Sequence, residues 1–156
     1  MERYFLISMI KSLFILISLI FSVNINADTS LSASGSLIWD SKNRFYLAKN
    51  EVVFKNKTFI AYSDEMKAQY IEQDNQEIFN IVELFGNVKI ELEEEVFQGD
   101  YAIYTKEDNI IKLIGNVSIS SPSRLLNGYE LIADIDNNTR TLNSDDKESI
   151  VEVLLD

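Results

Sequence analysis

The chain has 156 residues, a formal net charge of −11, and neither Cys nor His. These facts exclude disulfide frameworks, thiol nucleophiles, Cys or His metal centres and Ser–His catalysis, and the acidity argues against a nucleic-acid partner, whose phosphates need a basic face. Hydrophobic residues at 46% against 25% charged point to one folded domain with a core rather than a disordered chain.

At the N-terminus, Arg3 and Lys11 precede an apolar run from Ser12 to Val23, followed by Asn24-Ile-Asn-Ala27. This is the layout of a secretory signal peptide cut after Ala27, with Met9 as an alternative start. The expected division is therefore residues 1–27 as signal peptide and 28–156 as a single β domain. The competing reading is a retained anchor. The apolar run after Lys11 falls short of the ~20 residues that span a bilayer, and counting from Tyr4 puts the Lys11 charge in hydrocarbon.

From Ser34 onward the chain repeats. Asn80-Ile-Val-Glu-Leu-Phe-Gly-Asn-Val-Lys-Ile90 returns about 29 residues later as Asn109-Ile-Ile-Lys-Leu-Ile-Gly-Asn-Val-Ser-Ile119. Val52, Val88 and Val117 are equivalent positions, and each is followed at the same interval by a small residue: Ser63, Gly99 or Gly128. Around Tyr70-Ile-Glu-Gln-Asp-Asn-Gln-Glu77 the middle unit carries extra residues, read as a lengthened hairpin with a polar turn. Val88-Lys-Ile-Glu-Leu92 and Val117-Ser-Ile119 alternate apolar and polar, as half-buried strands do. Turns are expected at Asp40–Asn43, Lys106–Asn109 and Asp134–Asn138. Ser63 to Tyr70 has the composition of a helix, but its repeat equivalents are strands, and the repeat is the stronger guide. Gly86-Asn87 and Gly115-Asn116 are expected to be bends between strands. The tail, Ser149 to Asp156, reads as a final strand that either pairs within the sheet or stands as an open edge.

No catalytic signature is present. Glu93-Glu-Glu95 and Asp145-Asp146 lack the alternating spacing of a calcium loop and read as solvated turns. No phosphate-binding loop or nucleophile motif occurs, so neither an enzyme nor a cofactor is expected; a dispersed carboxylate pair is the one catalytic arrangement the residues leave open. Trp39 reads as a core or rim aromatic.

Two motif pairs carry a family likeness: Leu84-Phe-Gly-Asn-Val-Lys-Ile90 with Gly99-Asp-Tyr-Ala-Ile-Tyr104, and Leu113-Ile-Gly-Asn-Val-Ser-Ile119 with Gly128-Tyr-Glu-Leu-Ile-Ala133. Ala48-Lys-Asn-Glu-Val-Val-Phe54 with Ser63-Asp64 is a weaker copy without Gly-Asn. In these, and in its leader segment, the chain resembles the OstA-like, or LptA, family of lipopolysaccharide transport proteins, over about Ser34 to Leu142. The resemblance implies an all-β fold: an open, twisted antiparallel β-jelly-roll, or β-taco, built from the strand repeats. It also implies a periplasmic location, lipopolysaccharide as cargo, and a bridge between an inner-membrane LptC-like and an outer-membrane LptD-like protein, with head-to-tail homo-oligomers.

Alternation assigns Val52, Phe54, Val88, Ile90, Leu92, Val117 and Ile119 to one apolar face, with Phe97, Ile103 and Ile132 added. On the resemblance this face is a groove for acyl chains; on alternation alone it fits a closed core equally well. Ile150, Val151, Val153 and Leu155 are the candidate partner-docking edge. The alternatives are a membrane-tethered LptC-like partner of the same fold and a structural β-repeat protein that binds no lipid.

Overall fold

The computed structural model describes residues 28–145 and 151–155. The expected signal peptide, 1–27, and Ile150 of the docking edge lie outside the described residues. The rest forms ten strands in one antiparallel sheet: β1 (Ser30–Ser32), β2 (Ser36–Asp40), β3 (Phe45–Lys55), β4 (Ile60–Gln73), β5 (Gln76–Glu91), β6 (Val96–Thr105), β7 (Ile110–Ser121), β8 (Arg124–Asp134), β9 (Thr139–Asn143) and β10 (Glu152–Leu155). From β3 to β8 each strand pairs with the next in sequence, a plain meander.

The turns follow from local chemistry. Asp74-Asn75 joins β4 to β5 with φ of 53° and 61°, the doubly left-handed geometry of a two-residue hairpin that Asp and Asn tolerate. The polar turn is thus two residues long, and the extra residues of the middle unit extend the ladder to Gln73–Gln76. Asp40 accepts from the Asn43 backbone N–H at 2.9 Å, and Asp134 does the same for Asn137 at 2.9 Å. Arg44 and Asn138 then take the left-handed residue that restarts the strand. The single Pro, Pro122, sits in the β7–β8 turn, where no ladder N–H is lost. The segment from Ser63 to Tyr70 is strand, as the repeat indicated.

The Gly-Asn pairs do not separate strands. Gly86-Asn87 lies inside β5 and Gly115-Asn116 inside β7, where two residues stand opposite one on the neighbouring strand and shift the register. These are β-bulges, with both residues at positive φ. Asn50-Glu51 of β3 makes the same bulge without glycine, at φ of 66° and 45°. The first repeat therefore lacks the motif but keeps its geometry.

The bulges of β3, β5 and β7 fall on one line across the sheet and crease it into two facing layers. The first layer holds β1, residues 52–55, 60–63, 88–91, 96–99, 117–121 and 124–128, and β10. The second holds β2, residues 45–49, 65–73, 76–85, 101–105, 110–114 and 130–134, and β9. Rings meet across the gap: Phe54 of the first layer lies 6.0 Å from Phe79 of the second, and Phe59 lies 4.9 Å from Tyr104. The core is the space between the layers. The expected folded-over antiparallel sheet is what the chain forms.

Candidate functional site

Inward side chains form rows that cross the strands. In the first layer one row runs Phe54, Ala61, Ile90, Phe97, Ile119, Leu126, each opposite the next in register. A second, nearer the crease, contains Val52–Ser63, Val88–Gly99 and Val117–Gly128. The small partner of each pair leaves room for the opposite layer. A Cβ on Gly99 would meet Leu113 Cδ2 at 3.2 Å, and one on Gly128 would meet Leu142 Cγ at 2.7 Å. The recurring small residue in the sequence is thus a packing requirement of the crease.

Val52, Phe54, Val88, Ile90, Phe97, Val117 and Ile119 all face this interior and are at most 2% exposed, with Leu92 packed at its rim. Ile103 and Ile132 do not. Each lies half-exposed on the outer surface, in register with Lys112. At the crease β6 turns two successive residues outward, Asp100 and Tyr101, and β8 does the same with Tyr129 and Glu130. Alternation resumes one position later, so Ala102, Tyr104, Leu131 and Ala133 point inward instead. Counting by twos through the crease gives the wrong face.

Among the described residues, the side chains of these rows pack against one another in a single buried cluster between the layers. Two clefts, of about 880 and 660 Å³, lie on the side away from the crease, where the hairpin tips of the two layers face each other. The larger reaches Phe54, Phe79 and Tyr104 beneath a polar rim that includes Lys57, Glu77 and Lys106. The smaller is bordered by Glu93, Glu94, Glu95, Arg124 and Arg140.

An aromatic chain leads into the larger cleft from the β2 edge. Trp39 stacks on Tyr46 at 6.3 Å, Tyr46 meets Phe79 at 5.5 Å, and the contacts continue through Phe54 and Phe59 to Tyr104. Trp39 Nε1 donates to the Tyr70 hydroxyl at 3.0 Å, and the Tyr46 hydroxyl donates to Glu77 at 2.6 Å. Burial of the phenol, then the Glu77 carboxylate, pushes Tyr46 up to about 12. Of the two positions read for Trp39 from sequence, core or rim, its exposure places it at the rim. Tyr46, Phe59, Tyr70 and Phe79 were not singled out there, although Phe59 stands two residues before the inward Ala61 and shares its parity.

At the other side of the smaller cleft, Arg140 Nε donates to Glu95 Oε2 at 2.9 Å and Arg124 Nη2 to Glu95 Oε1 at 3.2 Å. Glu95 is therefore no free turn carboxylate, unlike the exposed Glu93 and Glu94 beside it.

The sheet ends on two edges. At one, Leu37, Ile38 and Trp39 of β2 are 53%, 50% and 58% exposed. At the other, β10 pairs with β8 through Val153–Leu126 and Leu155–Arg124, so the final strand is used within the sheet and its outer side forms the edge. Val151 and Leu154 are exposed there.

A family model described as "LptA/(LptD N-terminal domain) LPS transport protein" matches residues 33–139. Among solved structures, LptH from Pseudomonas aeruginosa, the LptA-homologous periplasmic component of a lipopolysaccharide transport device, superposes with a TM-score of 0.70. The alignment covers 82% of this chain and 94% of that one at 12% identity, a likeness of fold. No curated protein matches the chain.

Proposed function

Because this chain belongs to the LptA/LptD N-terminal-domain family of LPS transport proteins, we propose that it acts in the periplasm as a carrier, holding lipopolysaccharide acyl chains between its two layers. The observation that carries the reading is the unbroken apolar row from Phe54 to Leu126. At about 4.8 Å per strand it spans roughly 24 Å. Each CH₂ withdrawn from a membrane costs about 0.8 kcal/mol, so a dozen-carbon chain needs roughly 10 kcal/mol of replacement burial. An interior that exchanges side-chain contacts for acyl contacts supplies this without a separate energy source. The two layers part to admit the chains, since the row is filled when they are shut.

The two edges suit a bridging role between LptC-like and LptD-like partners. An edge strand with free backbone groups and exposed Leu37, Ile38 and Trp39 recruits a partner strand. The outer sides of β10 and β9 offer the complementary edges, and copies joined β10 to β1 in the first layer and β9 to β2 in the second extend the same interior.

A photoreactive residue at Ile90 or Val117 tests the cargo. Lipopolysaccharide is expected to crosslink there and not at the outward Lys89; crosslinking confined to Lys89 sinks the reading. N-terminal sequencing of exported protein is expected to begin at Asp28, whereas an intact Tyr4–Val23 segment favours the tethered, LptC-like alternative.

A further inference from the structure

We propose that the Glu95–Arg140 pair is a clasp that holds the two layers shut along their open side and sets how readily the interior opens. Glu95 stands at the tip of the β5–β6 hairpin in the first layer; Arg140 stands on β9 in the second. No backbone ladder joins these elements, because β9 pairs with β8 while β5 and β6 pair with each other and with β4 and β7. The side chains alone make the link.

The link is built for strength. Among the ion pairs of the described residues it has the most shielded partners, both 16% exposed. The other pairs each keep at least one partner well in solvent. Arg140 is held from three further directions: Nη1 donates to the Asp134 and Thr139 carbonyls at 3.2 and 2.9 Å, and the guanidinium lies 5.4 Å from the Phe97 ring centre. Phe97 belongs to the first layer's apolar row. One arginine thus grips a carboxylate and an aromatic face of the opposite layer, and removing it leaves a shielded carboxylate with Arg124 alone. In a saturated fold of continuous strands, this seam is the place where the layers can part without breaking a ladder.

The opening is measured without lipid; only its purpose rests on the carrier reading. The chain has no Cys, so a single thiol at Ile90→Cys reports access to the interior by its rate of modification with a small maleimide. Adding Arg140→Gln is expected to raise that rate about tenfold, the equivalent of ~1.4 kcal/mol. Arg124→Gln, which leaves the Arg140 contacts in place, is expected to change it less than twofold. An unchanged rate in Arg140→Gln, or an equal rise in both variants, overturns the clasp. As a check against general unfolding, Glu95→Cys with Arg140→Cys is bridged by a short bis-maleimide, each thiol adding across one maleimide double bond. Bridging is expected to slow amide exchange in β6 and β9 about tenfold; no slowing likewise overturns it. Faster thiol labelling with no lipid crosslinking at Ile90 leaves the clasp and removes the cargo. Lipid crosslinking with no change in labelling does the reverse.

Discussion

Asn87 donates its side-chain amide to the carboxylate of Asp64 at 2.7 Å, across the bulge of β5 onto the neighbouring strand. The next unit repeats the bond between Asn116 and Asp100, also at 2.7 Å. In both, the glycine before the Asn lies so close that a Cβ would meet the same carboxylate at 2.5 Å. Gly86→Ala therefore combines a left-handed Cβ cost of about 1–2 kcal/mol with displacement of the Asn87 acceptor, worth ~1 kcal/mol. A melting temperature lowered by several degrees is expected, and Gly115→Ala should match it. Glu51→Asn should act the other way: Glu51 holds φ of 45° without an adaptable side chain, and Asn suits that conformation.

Phe97 offers a core test. It is fully buried, in the apolar row and beneath Arg140. Phe97→Ala should cost about 3–5 kcal/mol by cavity formation, measurable by denaturant titration. Ile103→Ala, outward on the same strand, should cost far less. Similar losses at both would contradict the parity shift at Asp100-Tyr101.

Acid should destabilise the turns. Hydrogen bonds from the Asn137 side chain and backbone lower the Asp134 carboxyl below its ordinary 3.8, and Asn43 does the same for Asp40. Hydrogen bonding from Lys112 lowers Glu130 from 4.5. A depressed folded value means that the contribution is present above the unfolded pKa and fades as pH falls through the folded one. Melting temperature should thus decline below about pH 4.5, and more steeply below 3.8. Asp134→Asn keeps an acceptor for Asn137 but cannot titrate. Its decline below 3.8 should be shallower than that of the parent, a comparison that cancels the general relief of the acidic chain's self-repulsion.

At the alkaline end the tyrosines carry the signal. Burial, then the carboxylates of Glu77 and Glu83, pushes Tyr46 and Tyr101 to about 12. Raised folded values favour the folded state below pH 10, and this is lost as pH climbs through about 12. Phenolate absorbance should show a late component that shrinks in Tyr46→Phe and again in Tyr101→Phe.

Docking at the edges can be read from the one tryptophan. Trp39 lies on β2, and its indole is largely exposed. A partner strand added at that edge should shift its emission to the blue. Val153→Pro removes a ladder N–H on β10. It should weaken association between copies while the monomer's melting changes little; unchanged association would count against β10 as a docking edge.

Much of this architecture could be read from the residues. Alternation at Val88–Leu92 and the equivalence of Val52, Val88 and Val117 placed the strands and most of the inward face. The crease could not be read in the same way. Asp100-Tyr101 and Tyr129-Glu130 look like any polar and aromatic neighbours, and only a three-dimensional corner turns both members outward. The Glu95–Arg140 link was also hidden, because the two residues share no hairpin and no repeat position. Whether the apolar face lines an open channel or a shut seam leaves no trace in composition: the same valines and isoleucines serve both.

Bulges recur in β3, β5 and β7, on alternate strands of the meander. Since every second strand carries its own corner, a pair of strands is a complete slice of the molecule, with the same cross-section as its neighbours. Length and profile are then independent, as in an extruded rail. Slices could be inserted or deleted by duplication without retuning the remainder, and a second copy abutting at the end would prolong the profile as one more slice does. The lengthened β4–β5 hairpin is the exception: it widens one slice on one side, directly over Phe79 and the larger cleft, and gives this chain an individual feature on an otherwise uniform track.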